Sequence, residues 1–312
     1  MSADDHLNIH PITDACHGEE TLTIFNASDM GSLFGVGFKS LAYVSAKKRG
    51  IVPLASDDPE NPLMERGLDF EDAARKRVAR KYPAWQITKC NDHYVADRIG
   101  AKPDNLVIDP AREGVGVLEL KVTAEPIHRR EWLDDTPPLK YLLQLSTQMM
   151  LVPDCTWGAI GELVVGPFTY ETNVYIVERN RSAEIRLRTA VAEFWQTFDA
   201  GGEPAIDFER DGALIALMFP HEVPGKVVDL SSDNAIGDLL QRRDILKDTE
   251  KDVVKRLKEC ENEIKAKLGD AESALVPGWR VTLKTQHRKG YTVEPSSFRV
   301  LRTTRHEQET AS

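Results

Sequence analysis

Asp104, Glu119 and Lys121 fall within one stretch, Gly100 to Val122, that reads GAKPDNLVIDPAREGVGVLELKV. Two carboxylates and an ammonium held close together have a definite chemical use. Oxygen ligands of this kind suit a hard cation such as Mg²⁺, which keeps positions open for water and for a phosphate oxygen. A neighbouring lysine can polarise the attacking water or the phosphoryl oxygen. The chemistry is metal-assisted phosphodiester hydrolysis. The competing reading is a solvated strand on which Glu119 and Lys121 are ordinary partners, because a Glu-X-Lys triplet is common by itself.

A hairpin would position these groups. Leu106, Val107 and Ile108 read as one strand, Asp109-Pro110 and Gly114 mark a reversal, and Val115 to Val122 reads as the second strand. Because strand side chains alternate, Glu119 and Lys121 should leave one face while Leu118, Leu120 and Val122 point toward a core. Asp104 reaches the same spot from the neighbouring strand. The surrounding pattern predicts a helix near 28–48, a helix at 63–82, a strand at about 85–97, a short helix at 126–133 and a helix at 139–152. Strands near 156–165 and 168–177 and a helix at 178–200 follow. Pro137-Pro138 and Pro153-Asp154 bracket the 139–152 helix, and Gly166-Pro167 separates the two later strands. This order is α/β.

Other residues admit two uses. Glu71 shares a helix face with Arg75 and Val78, so it is either an exposed acid paired with Arg75 or a contact at the edge of a metal site. Tyr141, Gln144 and Gln148 share a face at i, i+3 and i+7. Their amides either satisfy buried backbone groups or bind a phosphate and a water. Ser28 precedes an apolar helical stretch, as an N-cap does, yet a hydroxyl at a helix N-terminus is also a phosphate seat, with Lys47 and Lys48 near in sequence. His93, His128 and His287 show no metal-ligand spacing and read as ordinary polar residues.

Several blocks in order resemble the PD-(D/E)XK nucleases, and within them the phage lambda exonuclease and YqaJ-like viral recombinase family. FNASDMGSLFGVGFKS (Phe25 to Ser40) looks like that family's opening helix and Gly-containing turn, and ERGLDFEDAARKRVARKYP (Glu65 to Pro83) like its helix with Gly67 and Glu71. The Asp104, Glu119, Lys121 set follows, and KYLLQLSTQMMLV (Lys140 to Val152) looks like the helix carrying a Tyr and Gln pair beside the active site. The resemblance implies a restriction-endonuclease-like core, a mixed central sheet flanked by helices. It also implies an Mg²⁺-dependent exonuclease, with Mn²⁺ able to substitute, that resects linear double-stranded DNA from the 5′ end and leaves 3′ overhangs for phage-type recombination. Asp104, Glu119 and the Leu120 carbonyl would bind the metal, with Glu71 supporting. Lys121 would activate the water and Gln144 position it. Ser28, Lys47, Lys48, Tyr141 and Gln148 would meet DNA or the 5′ phosphate. The resemblance further implies a homo-oligomer, often a trimeric ring, and a single-strand annealing protein as partner. A restriction or repair endonuclease would share the triad. A non-catalytic DNA-end-binding protein would keep the fold and lose it.

Composition fits a water-soluble chain. No apolar run approaches the roughly 20 residues that cross a bilayer, and the first residues lack the basic and apolar regions of a secretory signal, so 1–21 reads as a loose leader. Four cysteines, at 16, 90, 155 and 260, are scattered with no C-x-x-C pair, which argues against a zinc site, a disulfide framework or an iron-sulfur cluster. A reducing cytoplasm is the expected setting, and the resemblance implies a bacterial host and a phage or prophage gene. The net charge of −10 is unusual for a DNA enzyme, but phosphate binding follows the local field. Basic groups gather at Lys47-Lys48-Arg49, at His128-Arg129-Arg130 and in the tail at Lys284, Arg288, Lys289, Arg299, Arg302 and Arg305.

The nuclease core is therefore expected at 22–202, ending at Gly201-Gly202. Residues 203–312 are expected to form a connector, an amphipathic helix and a basic C-terminal hairpin. In Asp233 to Leu268 an apolar row at Leu239, Leu246, Val253 and Cys260 repeats every seven residues. Arg243 and Glu250 interrupt the companion row, which favours a helix lying on another element over a long coiled coil. Gly269 stops it. The hairpin is predicted from Trp279 to Gln286 and from Tyr291 to Arg302.

Overall fold

The computed structural model describes residues 10–12, 22–53, 62–287 and 299–303. The chain divides into two compact units, Met1–Phe219 and Pro220–Ser312. In the first, strands β1 (His10–Ile12) and β2 (Phe25–Asn26) precede the short helix α1 (Met30–Leu33), then α2 (Leu41–Lys48) and α3 (Pro62–Lys81). Strands β3 (Gln86–Lys89), β4 (His93–Ala96), β5 (Ile99–Ala101), β6 (Asn105–Ile108) and β7 (Val115–Ala124) follow. Next come α4 (Glu125–Glu131), α5 (Leu139–Leu151), β8 (Cys155–Val165), β9 (Tyr170–Glu178), α6 (Arg181–Asp199) and α7 (Gly212–Met218).

The central sheet has the order β3-β6-β7-β8-β9, and a smaller sheet has the order β1-β4-β5-β2. In the central sheet β7 and β8 are parallel while the other pairs are antiparallel. A parallel pair needs a crossover, which α4 and α5 supply. This mixed sheet flanked by helices is the α/β architecture that the sequence implied.

The parallel pair is covered on both sides. Val117 and Ile160 enter a core with Leu145 and Met149 of α5 and with Leu187 and Trp195 of α6. Leu118, Leu120 and Trp157 enter another with Ala74 and Val78 of α3. The competing reading of a solvated strand is therefore set aside: Glu119 is itself 2% exposed. A strand between two helical layers has no wet side.

Two further expectations are revised. The helix predicted over 28–48 is broken into α1 and α2 by the turn at Phe34 to Ser40, where Gly35 takes φ +71°. Ser40 then caps α2, accepting from the Tyr43 N–H at 2.9 Å and donating to Asp211 Oδ1 at 2.5 Å. The strand predicted over 85–97 is two strands, β3 and β4, in different sheets.

The second unit contains α8 (Asn234–Leu268) and the antiparallel pair β10 (Ser273–Val276) and β11 (Trp279–Thr282). No residue of α8 is buried. The hairpin predicted between 279–286 and 291–302 is thus replaced at its first strand: Trp279 pairs back with Val276 across Pro277-Gly278, with Gly278 at φ +78°. Residues 291–298 lie outside the described residues, as do Arg288, Lys289 and Arg305.

Candidate active site

Glu119, at the centre of β7, is a buried carboxylate surrounded by three side-chain donors. Its Oε1 accepts from Lys121 Nζ at 2.6 Å and from Gln144 Nε2 at 2.7 Å, and its Oε2 accepts from Gln148 Nε2 at 2.6 Å. Lys121 also donates to Gln144 Oε1 at 3.2 Å. The Gln144 amide is thereby oriented, because an ammonium can only donate and a carboxylate can only accept. Lys121 sits on the same strand face as Glu119, two residues along, and its ammonium lies 4.9 Å from the centre of the Tyr141 ring. Burial pulls the Lys121 pKa down, but Glu119, with lesser help from Asp104, outweighs this and holds it above its ordinary value. The lysine is a fixed cation.

Asp104 precedes β6 and accepts the Leu120 N–H on Oδ2 at 2.7 Å. Burial and then the charge of Glu119 push its carboxyl up to about 8, against the lowering effects of the Leu120 N–H and Lys121. Glu71 on α3 adds to this repulsion and pairs with Lys89 at 3.5 Å, whereas Arg75 pairs with Asp72. Asp104, Glu119 and Lys121 are thus brought together, with Glu71 close enough to act on Asp104.

This donor set fits a hard divalent cation. The Asp104 and Glu119 carboxylates repel each other, and Gln148 Oε1 is buried with no hydrogen-bond partner. No cluster of three or more His, Cys, Asp or Glu groups suited to a metal is present among the described residues.

The remaining sequence candidates divide. Gln148 is fully buried on Glu119, so it positions that carboxylate instead of meeting DNA. Lys48 is corrected likewise. Its ammonium turns inward onto the Ile24 carbonyl at 2.5 Å, between the rings of Phe25 and Trp195, where an aliphatic stem is readily buried. Ser28 is exposed in a 3₁₀ turn, Ala27–Asp29, with Asn26 and Asp29 at the two adjoining cap positions, so it is not the N-cap. Lys47 is partly exposed at the end of α2.

Sequence reasoning missed a second buried acid. Glu162 of β8 pairs in register with Lys121, is fully buried, and binds His128 Nδ1 at 3.0 Å and Asn173 Nδ2 at 3.3 Å. His128 is therefore more than an isolated polar residue. It also missed Asn105, beside Asp104, which is fully buried with both amide atoms unpartnered. A polar residue inside an apolar strand pattern is the signal that could have found either.

Residues 21–155 match the YqaJ-like viral recombinase domain. The chain is 24% identical over 247 residues to the uncharacterized protein YqaJ of Bacillus subtilis (strain 168), covering 76% of this chain and 72% of that protein. Among solved structures it is similar to an alkaline exonuclease (LHK-Exo) from Laribacter hongkongensis, at 21% identity and a TM-score of 0.45, over 58% of this chain and 90% of that one. A phage related exonuclease from Haemophilus somnus 129PT is similar at 13% identity and a TM-score of 0.41, over 59% of this chain and 97% of that one.

Proposed function

We propose that this chain, whose residues 21–155 match the YqaJ-like viral recombinase domain, is a divalent-metal-dependent exonuclease acting on linear duplex DNA. It digests one strand from the 5′ end and leaves 3′ single-stranded overhangs for phage-type homologous recombination. The observation that carries the reading is Glu119, fixed by Lys121, Gln144 and Gln148 and opposed to Asp104.

Asp104 and Glu119, with the Leu120 carbonyl, hold the cation, Mg²⁺ with Mn²⁺ as a substitute, and Glu71 supports the outer coordination. When bound, the cation supplies positive charge for the phosphate and the leaving oxygen. Lys121, held protonated, orients the attacking water and stabilises charge on the phosphoryl oxygens. Gln144 fixes Lys121 and Glu119 relative to each other and positions that water. Tyr141 lines the DNA side, and Ser28 with Lys47 receives the 5′ phosphate. The nuclease core occupies 22–202. The substrate is a duplex end, and the assembly is a homo-oligomer such as a trimeric ring, working with a single-strand annealing protein in the bacterial cytoplasm.

The test is digestion of 5′-end-labelled linear duplex by wild type, Asp104→Asn, Glu119→Gln and Lys121→Met, with Mg²⁺ and with EDTA. Only wild type with Mg²⁺ should release label as nucleotides. Folded variants that digest like wild type would remove these residues from the site. Cleavage of covalently closed circles would favour the endonuclease reading.

A further inference from the structure

The turn from Phe34 to Lys39 is held tightly yet displays apolar side chains to solvent. Ser32 Oγ donates to the Lys39 carbonyl at 2.8 Å, the Val36 N–H donates to the Gly31 carbonyl at 2.9 Å, and the Arg210 guanidinium donates to the carbonyls of Gly35 and Gly37. The turn folds back so closely that a Cβ on Gly37 would lie 2.6 Å from the Ser32 nitrogen. On this fixed backbone Phe34 is 40% exposed and Phe38 is 67% exposed. A rigid loop that holds aromatic rings in water is a poor way to build a core and a good way to present a binding surface.

Its position says what would be bound. The Phe38 ring lies 6.0 Å from that of Tyr141, and Tyr141 lies 4.9 Å from the Lys121 ammonium. Phe38 thus stands beside the ring that neighbours Lys121, at the candidate site. The Lys140 ammonium, paired with Glu131, lies 4.2 Å from the Phe38 ring centre and helps hold that ring in place.

We propose that Phe38 is a stacking platform for an unpaired nucleobase at the digested end of the DNA. The platform rests on the nuclease reading above and adds the part of the substrate that is gripped beside the scissile bond. Stacking tolerates sequence, since every base has a π-face, and it suits an enzyme that consumes a strand base after base.

The experiment compares wild type, Phe38→Ala and Phe38→Trp on 5′-phosphorylated linear duplex, in two versions. One carries normal nucleotides on both sides of the first scissile bond. The other is abasic at those two positions. On the normal end Phe38→Ala should lose about tenfold in kcat/KM for the first cleavage, and Phe38→Trp should retain it. On the abasic end wild type and Phe38→Ala should be equal, because there is no base to stack. An equal loss on both ends, no loss on either, or failure of tryptophan to substitute would overturn the platform. A changed oligomeric state in Phe38→Ala without base dependence would also overturn it and make the loop a subunit contact. If wild type digests neither version, the nuclease reading itself falls and takes the platform with it.

Discussion

Glu119 is kept inside the protein by its donors. An ionised carboxylate in a dry strand is tolerated only when its oxygens are bonded, and Lys121, Gln144 and Gln148 provide those bonds. Replacing Gln148 by methionine keeps the volume and removes the donor to Oε2. Hydrogen bonds to charged groups contribute roughly 1.5–3 kcal/mol, and losing the orphaned Oε1 offsets part of that. The variant should be destabilised by about 1–2 kcal/mol in a denaturant titration, and its single-turnover cleavage should slow at least tenfold. An unchanged rate would mean Gln148 does not position Glu119. Lys48 makes an opposite case, since burial draws its pKa from 10.5 down to about 8. Between these values the unfolded chain binds a proton that the folded chain does not, so stability from this group rises with pH across that window. Below pH 8 the cost of charging is fully present, on the order of 3 kcal/mol. The stability difference between wild type and Lys48→Met should therefore narrow from pH 7.5 to pH 9.5, and a constant difference would show that Lys48 is not a charged buried group.

Much of what positions the site was legible at the level of elements. The β6–β7 hairpin announced itself by β-branched residues around Asp109-Pro110 and Gly114, and α5 by the prolines on both sides of it. The burial of Glu119 was not legible, because alternation along one strand gives the face of a residue but not what covers that face. Helix α5 does so here, with Gln144 and Gln148 lying on Glu119. Lys48 reads as a phosphate contact by residue type, and Gln148 as either a buried amide or a DNA contact, because their tertiary partners, Ile24 and Glu119, lie 24 and 29 residues away. The Pro277-Gly278 turn was in the sequence and was passed over in favour of a longer pairing. The contact of α3 with the sheet can be probed through Gly161 of β8, where an added Cβ would fall 2.8 Å from Val78 Cγ2 and 3.0 Å from Leu120 Cδ2. Gly161→Ala should overpack this layer by about 1–3 kcal/mol and push α3, with Glu71, away from Asp104. The expected readouts are a lower denaturant midpoint and a higher Mg²⁺ concentration for half-maximal cleavage. Unchanged values of both would show that the α3 contact does not set the site.

The whole chain carries a net charge of −10, so the proposed contact with DNA would have to be local. In the second unit Lys284, Arg299 and Arg302 are exposed, although Lys284 lies 2.5 Å from Glu272. If these groups meet phosphates, replacing all three by glutamine should reduce the salt slope of DNA affinity by roughly 0.9 for each phosphate no longer neutralised. An identical slope would leave the second unit without a role in DNA retention. Among the described residues no helix is long and apolar enough to cross a membrane. The central claim, that Asp104, Glu119 and Lys121 form a metal-dependent site working inward from DNA ends, predicts different fates for different DNA topologies. The most direct measurement is nucleotide release with Mg²⁺ from one plasmid presented as covalently closed circle and as linear duplex labelled at its 5′ ends. The account predicts prompt release of 5′ label from the linear form, no attack on the closed circle, and no release at all by Glu119→Gln. Digestion of the closed circle, release that begins at the 3′ ends, or full activity in Glu119→Gln would contradict it.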